Sequence, residues 1–313
     1  MAFDIVFMGT PEFALPTLEK IYHSSHSILS VVTQPDRPKG RGQKKFASPI
    51  KIFAANNNIP LLQPENVNTQ EFIELLLKNR PDYIIVVAFG QILREDLLKV
   101  PLQLCINLHS SLLPKYRGAA PINRAILNGD TISGVTTMIM DKGMDTGDIL
   151  LTQEISIEQS DDAKSLHDKL SKSGGDLIIK TLSRLEIDNL LPVPQNVALA
   201  TYAPKLKKEE SLINWQLDAD DIFNRIRGLT PWPGTHTFYN GKRLGILKGE
   251  VICGEPSDRP GYVERVTDSG IEVGTRKNRL KITEVKPEGK KAMSVKSFLS
   301  GYIINQGDSL NLD

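Results

Sequence analysis

The chain has 313 residues, 40% of them hydrophobic and 24% charged, with 38 Lys and Arg against 37 Asp and Glu. That composition fits a soluble globular protein with room for two domains, and it excludes wholesale disorder and a uniformly basic nucleic-acid binder. Two cysteines, Cys105 and Cys253, are too few for a disulfide scaffold or a four-thiolate zinc site.

The N-terminal MAFDIVF enters directly on a strand pattern, Asp4 to Met8, with no basic n-region. No apolar run reaches membrane-spanning length, so a cytoplasmic protein with no membrane partner is expected. The turn Gly9-Thr10-Pro11 leads into a helix with Phe13, Leu15, Leu18 and Ile21 apolar, and Leu29 to Thr33 is the next strand. A loop, Gln34 to Ser48, follows, with Pro35, Pro38, Gly40 and Gly42. Pro49 to Asn56 and Phe72 to Lys78 read as helices, the second stopped by Pro81. Tyr83 to Ala88 is a continuous apolar run of the central-strand type. Leu104 to His109 is a further strand, and Ala119 to Leu127 a helix with Pro121 in its first turn. Val135 to Met140 and Ile149 to Ile157 are strands around a glycine-rich turn. Asp162 to Leu185 has helical periodicity, with Gly174-Gly175 as a candidate break.

Strands alternating with helices predict an α/β domain, a Rossmann-like, mostly parallel sheet with helices on both faces. Leu191 to Pro204 holds three prolines and little pattern, which reads as a linker. Beyond it, after a short helix (Ala219 to Arg227), come short strands at 237–239, 243–247, 261–266, 270–274 and 280–285, which predict a small β-barrel. The expected division is 1–189, a linker over 190–206, and 207–313.

Charge is unevenly placed. Residues 1–204 carry 20 basic and 22 acidic side chains, and 205–313 carry 18 and 15. Pro35 to Lys51 holds six cations (Arg37, Lys39, Arg41, Lys44, Lys45, Lys51) against Asp36 alone, and Arg276 to Lys296 holds eight against Glu284 and Glu288. A single such run is usually a solvated face, but two, one in a Gly/Pro-rich loop, point toward a polyanionic partner.

The chemistry-bearing residues are few. The first strand-turn-helix has one glycine where a dinucleotide fingerprint needs three, and there is no phosphate-binding loop, so a dehydrogenase is disfavoured. None of the five histidines has metal-ligand spacing, so no metal is expected. Asn107 and His109, two apart, share one face near the carboxyl end of a strand, where open α/β sheets place ligands. A second polar knot, Asp141 to Asp148, offers three aspartates between apolar strands, any of which could orient His109. Spacing alone does not choose among them.

Asn107-Leu108-His109 with Ser111-Leu112-Leu113-Pro114, then Tyr116-Arg117-Gly118-Ala119-Ala120-Pro121-Ile122, then Gly143-Met144-Asp145-Thr146-Gly147-Asp148, resembles the formyltransferases that use 10-formyltetrahydrofolate. The loop Gln34-Pro35-Asp36-Arg37-Pro38-Lys39-Gly40-Arg41-Gly42, the stretch Tyr202-Ala203-Pro204-Lys205-Leu206, Pro231-Trp232-Pro233-Gly234 and Gly289-Lys290-Lys291-Ala292-Met293 are similar to the branch that formylates initiator methionyl-tRNA. The resemblance runs from Phe7 to about Phe298. It implies that Asn107 stabilises the formyl oxyanion, that His109 accepts the amine proton and that Asp145 holds and polarises His109. It implies a folate site at Phe89, Gly90, Gln91, Ile92, Leu93, Ser111, Leu112, Leu113 and Pro114. It implies tRNA contacts from Arg37, Arg41, Lys44 and Lys45, an OB-like C-terminal barrel on the tRNA, and a monomer that uses no metal. Competing readings are a formyltransferase for a small amine or an amino sugar, a formyltetrahydrofolate hydrolase with water as acceptor, and a non-catalytic RNA binder. The formyltransferases for small amines and amino sugars lack the pairing of a basic loop with a basic C-terminal domain, a hydrolase would need no RNA footprint, and an intact Asn107, His109 and Asp145 argues against the last.

Overall fold

A computed structural model of the chain describes residues 2–39, 44–187 and 190–311. Contacts divide it into two compact units. The first comprises residues 1–121, 132–156 and 167–203; the second comprises 122–131, 157–166 and 204–313.

The first unit is built on β1 (Asp4–Gly9), α1 (Leu15–Tyr22), β2 (Ser27–Val32), the hairpin strands β3 (Arg37–Lys39) and β4 (Lys44–Phe46), α2 (Pro49–Asn56), β5 (Leu61–Leu62), α3 (Gln70–Asn79), β6 (Tyr83–Val87), α4 (Glu95–Leu98) and β7 (Leu104–His109). Then come β8 (Arg117–Gly118), β9 (Ile132–Ile139), β10 (Ile149–Ser156), α6 (Ala163–Glu186), whose first turn falls in the second unit, and β11 (Tyr202–Ala203), while α5 (Pro121–Leu127), between β8 and β9, belongs from residue 122 on to the second unit. Seven strands form one sheet in the order β10-β9-β7-β6-β1-β2-β5. Its members β7, β6, β1, β2 and β5 run parallel, and β9 and β10 are antiparallel additions. The chain winds outward from β1 through β2 and β5, then returns to the other side of β1 at β6, so the order reverses between β1 and β6. Ligands of open α/β sheets bind outside the carboxyl ends at such a reversal.

Burial explains why the parallel strands read as unbroken apolar runs: every residue of β6 is buried, as are residues 5–9 of β1. One face, through Val6, Met8, Ile84 and Val86, packs on Phe72, Ile73 and Leu76 of α3. The alternate residues Ile5, Phe7, Ile85 and Val87 are also fully buried, so the other face is covered too. Ser48 caps α2 by accepting from the Lys51 amide, with Pro49 in the first turn, and Thr69 caps α3 in the same way. Gly174-Gly175, a candidate break, lies inside a continuous α6. The reason is close packing: a Cβ on Gly174 would come within 2.5 Å of the Leu108 side chain on β7.

The second unit contains α7 (Ala219–Gly228), β12 (Thr235–Tyr239), β13 (Lys242–Ile252), β14 (Val263–Thr267), β15 (Gly270–Gly274), β16 (Arg279–Pro287), β17 (Met293–Ser294) and α8 (Val295–Leu299). Its antiparallel sheet runs β12-β13-β16-β15-β14, with β17 on β16. Ile222 and Ile226 of α7 join Trp215, Leu244, Ile246, Ile282 and Phe298 in its core. The expected small barrel is present as an antiparallel sheet that does not close: among the described residues β12 and β14 do not pair. Other segments take the two edges. Ile213 donates to the His236 carbonyl on β12, and Val263 on β14 donates to Asp308. The segment through Leu310 spans the gap, since the Leu310 carbonyl accepts from Trp215 Nε1 and from the Thr237 hydroxyl. Among the described residues no helix is long and apolar enough to cross a membrane.

Candidate active site

The site begins with β7. In register, Asn107 lies between Val86 of β6 and Met138 of β9, and His109 lies opposite Thr136. Leu108 points to α6, so Asn107 and His109 share the opposite face of the sheet. The Asn107 carboxamide is half-buried and has no hydrogen-bond partner among the described residues. It is a donor held at a strand end and left available to a ligand.

His109 is 7% exposed. Its Nε2 lies 3.0 Å from the Tyr116 carbonyl. A carbonyl only accepts, so Nε2 carries the proton in this pair and Nδ1 is the basic nitrogen of the neutral ring. Nδ1 lies 3.7 Å from Oδ1 of Asp145. That exceeds a hydrogen bond but is within reach of strong attraction once the ring is protonated.

The 141–148 loop gives its three aspartates different work. Asp141 is exposed and accepts from the Gly143 amide (2.9 Å) and from the Thr146 hydroxyl, which pins the loop to itself. Asp148 lies half-buried at the loop exit, where its main-chain carbonyl accepts from Ile139. Asp145 alone of the three is paired with His109. Its φ of 55° is left-handed, and its Oδ2 accepts from the Gly118 amide at 2.8 Å, which leaves Oδ1 toward the imidazole. Gly147 has no room for a side chain, because a Cβ would overlap the Ile139 carbonyl.

The candidate folate segment emerges from β6 beside the strand-order reversal. Phe89 and Leu93 are buried and support it from beneath. The Phe89 carbonyl accepts from Thr10 Oγ1 at 2.9 Å, which joins it to the turn after β1. The Gln91 amide bonds the Val67 amide and the Glu65 carbonyl. Gly90, at φ +92°, has nothing within 4 Å of where a Cβ would stand, and Ile92 is 77% exposed. A flat ring would find open space over Gly90. In the second segment the Ser111 hydroxyl is fully buried and donates to the Lys115 carbonyl, while Leu113 is buried and its amide donates to Thr136 Oγ1. Leu112 and Pro114 are half-buried.

The basic loop is an antiparallel hairpin of β3 and β4, with Arg37 exposed on β3. Arg41 and the side chains of Lys44 and Lys45 lie outside the described residues. Asp36, the one acid of the cluster, is held by Lys51 at 2.6 Å and by the Gln63 amide at 3.0 Å, at the base of the hairpin.

Sequence reading missed a set of groups that come from far away in the chain. Gln195, inside the expected linker, bonds both the 141–148 loop and Arg117. Thr201 and Ala203 bond the main chain of 116–120, and β11 pairs in parallel with β8. No periodicity marks contacts of this separation. Three further candidates, His26, His167 and Cys105, are occupied or inert. His26 accepts from the Phe3 amide and is held below the ordinary histidine range by burial and by the N-terminal charge. His167 pairs with Asp168, and burial pushes the Cys105 thiol up to about 12, which removes it as a nucleophile. Among the described residues no group of three or more His, Cys, Asp or Glu is placed to hold a metal ion.

Comparison with known proteins gives the family. Residues 3–182 match the formyl transferase family model, and residues 205–303 match that of the formyl transferase C-terminal domain. The chain belongs to the formyl transferase family, in both of its domains. Among its curated relatives are the methionyl-tRNA formyltransferases of Geobacter metallireducens, 48% identical over 306 residues (97% of each chain), and of Caldanaerobacter subterraneus, 48% identical over 307 residues (98% of this chain and 99% of that one). Two solved structures share the fold at low identity. The N-formyltransferase of Helicobacter canadensis, in complex with folinic acid and dTDP-3-aminofucose, has a TM-score of 0.67 at 22% identity over 90% of this chain and 99% of that one. HypX of Aquifex aeolicus, in complex with tetrahydrofolic acid, has a TM-score of 0.62 at 16% identity; 96% of this chain matches, and it spans 47% of that longer one.

Proposed function

We propose that the chain transfers the formyl group of 10-formyltetrahydrofolate to the α-amino group of initiator methionyl-tRNA, with Asn107, His109 and Asp145 as its catalytic groups. The observation that carries the reading is one strand end, where an unpartnered Asn107 amide shares a face with His109 and a single carboxylate stands 3.7 Å from the imidazole. The donor fits the open space over Gly90.

10-Formyltetrahydrofolate supplies a formyl carbonyl on nitrogen. Asn107 donates to the oxygen of that carbonyl as the attacking amine adds and negative charge develops there. His109 Nδ1 takes the proton that the amine sheds, and Asp145 stabilises the imidazolium that results. His109 then returns a proton to the departing folate nitrogen, so the formyl carbon exchanges one C–N bond for another and the proton count balances. An α-amino group titrates near 7.7–8.0, lower when esterified beside an electron-withdrawing acyl oxygen, so a histidine is base enough.

The division of labour proposed is a folate and catalytic region over 1–189, a linker over 190–206, and an OB-like RNA surface over 207–313, in a monomeric cytoplasmic protein. Exposed Lys277, Lys286, Lys290, Lys291 and Lys296, which form no ion pair among the described residues, support the RNA surface. Arg37, Arg41, Lys44 and Lys45 act on the tRNA from the β3–β4 hairpin. The deciding experiment incubates the protein with 10-formyltetrahydrofolate and, in parallel, methionyl-tRNA, amino-sugar nucleotides and water alone. Formyl appearing on the tRNA is the expected result. Formate release at the same rate without an amine acceptor would overturn it.

A further inference from the structure

We propose that Gln195 is a positioning residue for Asp145: its carboxamide ties the 141–148 loop to Arg117 and so aims the Asp145 carboxylate at His109. The inference rests on the reading of Asp145 as the carboxylate that acts on His109.

Both ends of the Gln195 amide are fully used. Nε2 donates to the Asp145 carbonyl at 2.9 Å and to the Gly147 carbonyl at 2.7 Å. Oε1 accepts from Arg117 Nε at 3.1 Å and Nη2 at 2.7 Å. That is two donors and two acceptor positions, the whole capacity of a glutamine side chain. Arg117 is 3% exposed, and no carboxylate of a described residue lies within ion-pair distance of it. A buried cation without a counter-charge depends on strong acceptors, so Gln195 is fixed in its orientation by Arg117.

The object of this clamp is a strained residue. Asp145 has φ +55°, a conformation that a non-glycine residue keeps only where its surroundings over-determine it. Two contacts hold it, one on each side of its Cα: the Gly118 amide on Oδ2 and Gln195 on the main-chain carbonyl. Gly118 is next to Arg117, so both contacts trace back to one dipeptide. The arrangement also explains why an amide is needed. A glutamate at 195 would serve Arg117 better, but it would turn lone pairs toward the two carbonyls of the loop.

Gln195→Glu therefore keeps one half of the clamp and breaks the other. In the full-length protein kcat should fall 10- to 100-fold, since misplacement by about 1 Å costs up to 10²-fold, while KM for methionyl-tRNA and affinity for a tetrahydrofolate analogue stay within about twofold. Rates are taken per folate-binding site, which removes any loss of folded protein. The sharper reading is a double-mutant cycle by single-turnover kinetics: in an Asp145→Asn background, Gln195→Glu should cost nothing further, because its effect passes through the charge already removed. Losses that multiply in the double variant, or a wild-type kcat for Gln195→Glu, would overturn the proposal while leaving Asp145 in place. Normal turnover by Asp145→Asn would remove the underlying reading and the proposal with it. If Gln195→Glu does not fold, Gln195→Met, which keeps the length and loses both sets of bonds, takes its place in the same cycle.

Discussion

Asn107, His109 and Asp145 each have a distinct physical signature, and each can be tested alone. Asn107→Ala removes a donor that no protein group is using, so stability should be unchanged while kcat falls by about 10²–10³, the typical loss for one oxyanion donor. His109→Ala removes the proposed proton acceptor and should cost at least as much. Asp145→Asn keeps the bond to the Gly118 amide and loses the charge, so kcat should fall with melting temperature nearly constant. Asp141→Asn should show the reverse, a looser loop with milder kinetics, because Asp141 bonds only its own turn. Steady-state kinetics with calorimetry on the four variants checks this; a normal kcat for Asp145→Asn beside a crippled Asp141→Asn would reassign the acid. The sequence showed Asn107 and His109 through strand periodicity alone, since residues two apart must share a face. It could not choose among three aspartates, because that choice depends on the positive φ at Asp145 and on the Gly118 amide, and neither leaves a local trace. Gln195 was invisible for the same reason, because its partners lie 48 to 78 residues away.

Among the secondary-structure elements, the central strands β1, β2, β6 and β7 of the first unit were legible because burial on both sides demands continuous apolar runs, whereas the two- to four-residue elements β3, β4, β5, α4, β8 and β11 are too short to carry a period. The glycine pair in α6 misled, because close packing, of Gly174 on Leu108 of β7 and of Gly175 on the Pro16 carbonyl of α1, favours small residues where propensity disfavours them. The basic loop proved to be a short hairpin, whose only acid is withdrawn toward Lys51 at its base. Arg41→Ala is expected to weaken tRNA use strongly and leave folate binding intact, and Arg41→Lys should recover only part, since a lysine keeps the charge and loses the planar fork. Neutralising Lys44 and Lys45 together should flatten the slope of log K against log salt by about one unit. Filter binding at several salt concentrations reads both, and a wild-type Arg41→Lys would reduce the hairpin to a diffuse field.

A second element-level device lies in the other unit. Arg124 binds Glu210 with both nitrogens, at 2.6 and 3.0 Å, and holds its carboxyl below the usual glutamate value. A lowered folded pKa adds stability that is complete above the ordinary value of about 4.5 and is lost as pH falls through the lowered one. Glu210→Gln should lower the melting temperature at neutral pH, by an amount equivalent to about 1 kcal/mol after solvent screening. It should also flatten the decline below about pH 4.5. Thermal melts from pH 7 to 3 test it, and parallel curves for the two proteins would show that another group sets the acid limit.

For the whole molecule, the two units are each assembled from separated pieces of chain. This interleaving was not legible, since texture shifts only once along the sequence, near residue 204. Residues 190–203 read as a linker because they are proline-rich and aperiodic, yet Thr201 accepts from the Tyr116 and Arg117 amides and Ala203 from Ala119 and Ala120. A fragment of residues 1–189 lacks these bonds and lacks Gln195. It is expected to fold, bind a tetrahydrofolate analogue and formylate poorly. A fragment of 1–203 restores the strap and should melt several degrees higher, because these four bonds, three main-chain and one to the Thr201 hydroxyl, return together at about 1 kcal/mol each. Both fragments leave 122–131 and 157–166 without the partners they have in the full chain, including the bonds from Arg227 to Glu158 and Asp161, so neither should reach its stability. Calorimetry and folate-analogue titration of the two fragments beside the full chain decide the matter. If 1–189 melts and binds as 1–203 does, the strap is dispensable to the catalytic region and 190–206 is only a tether.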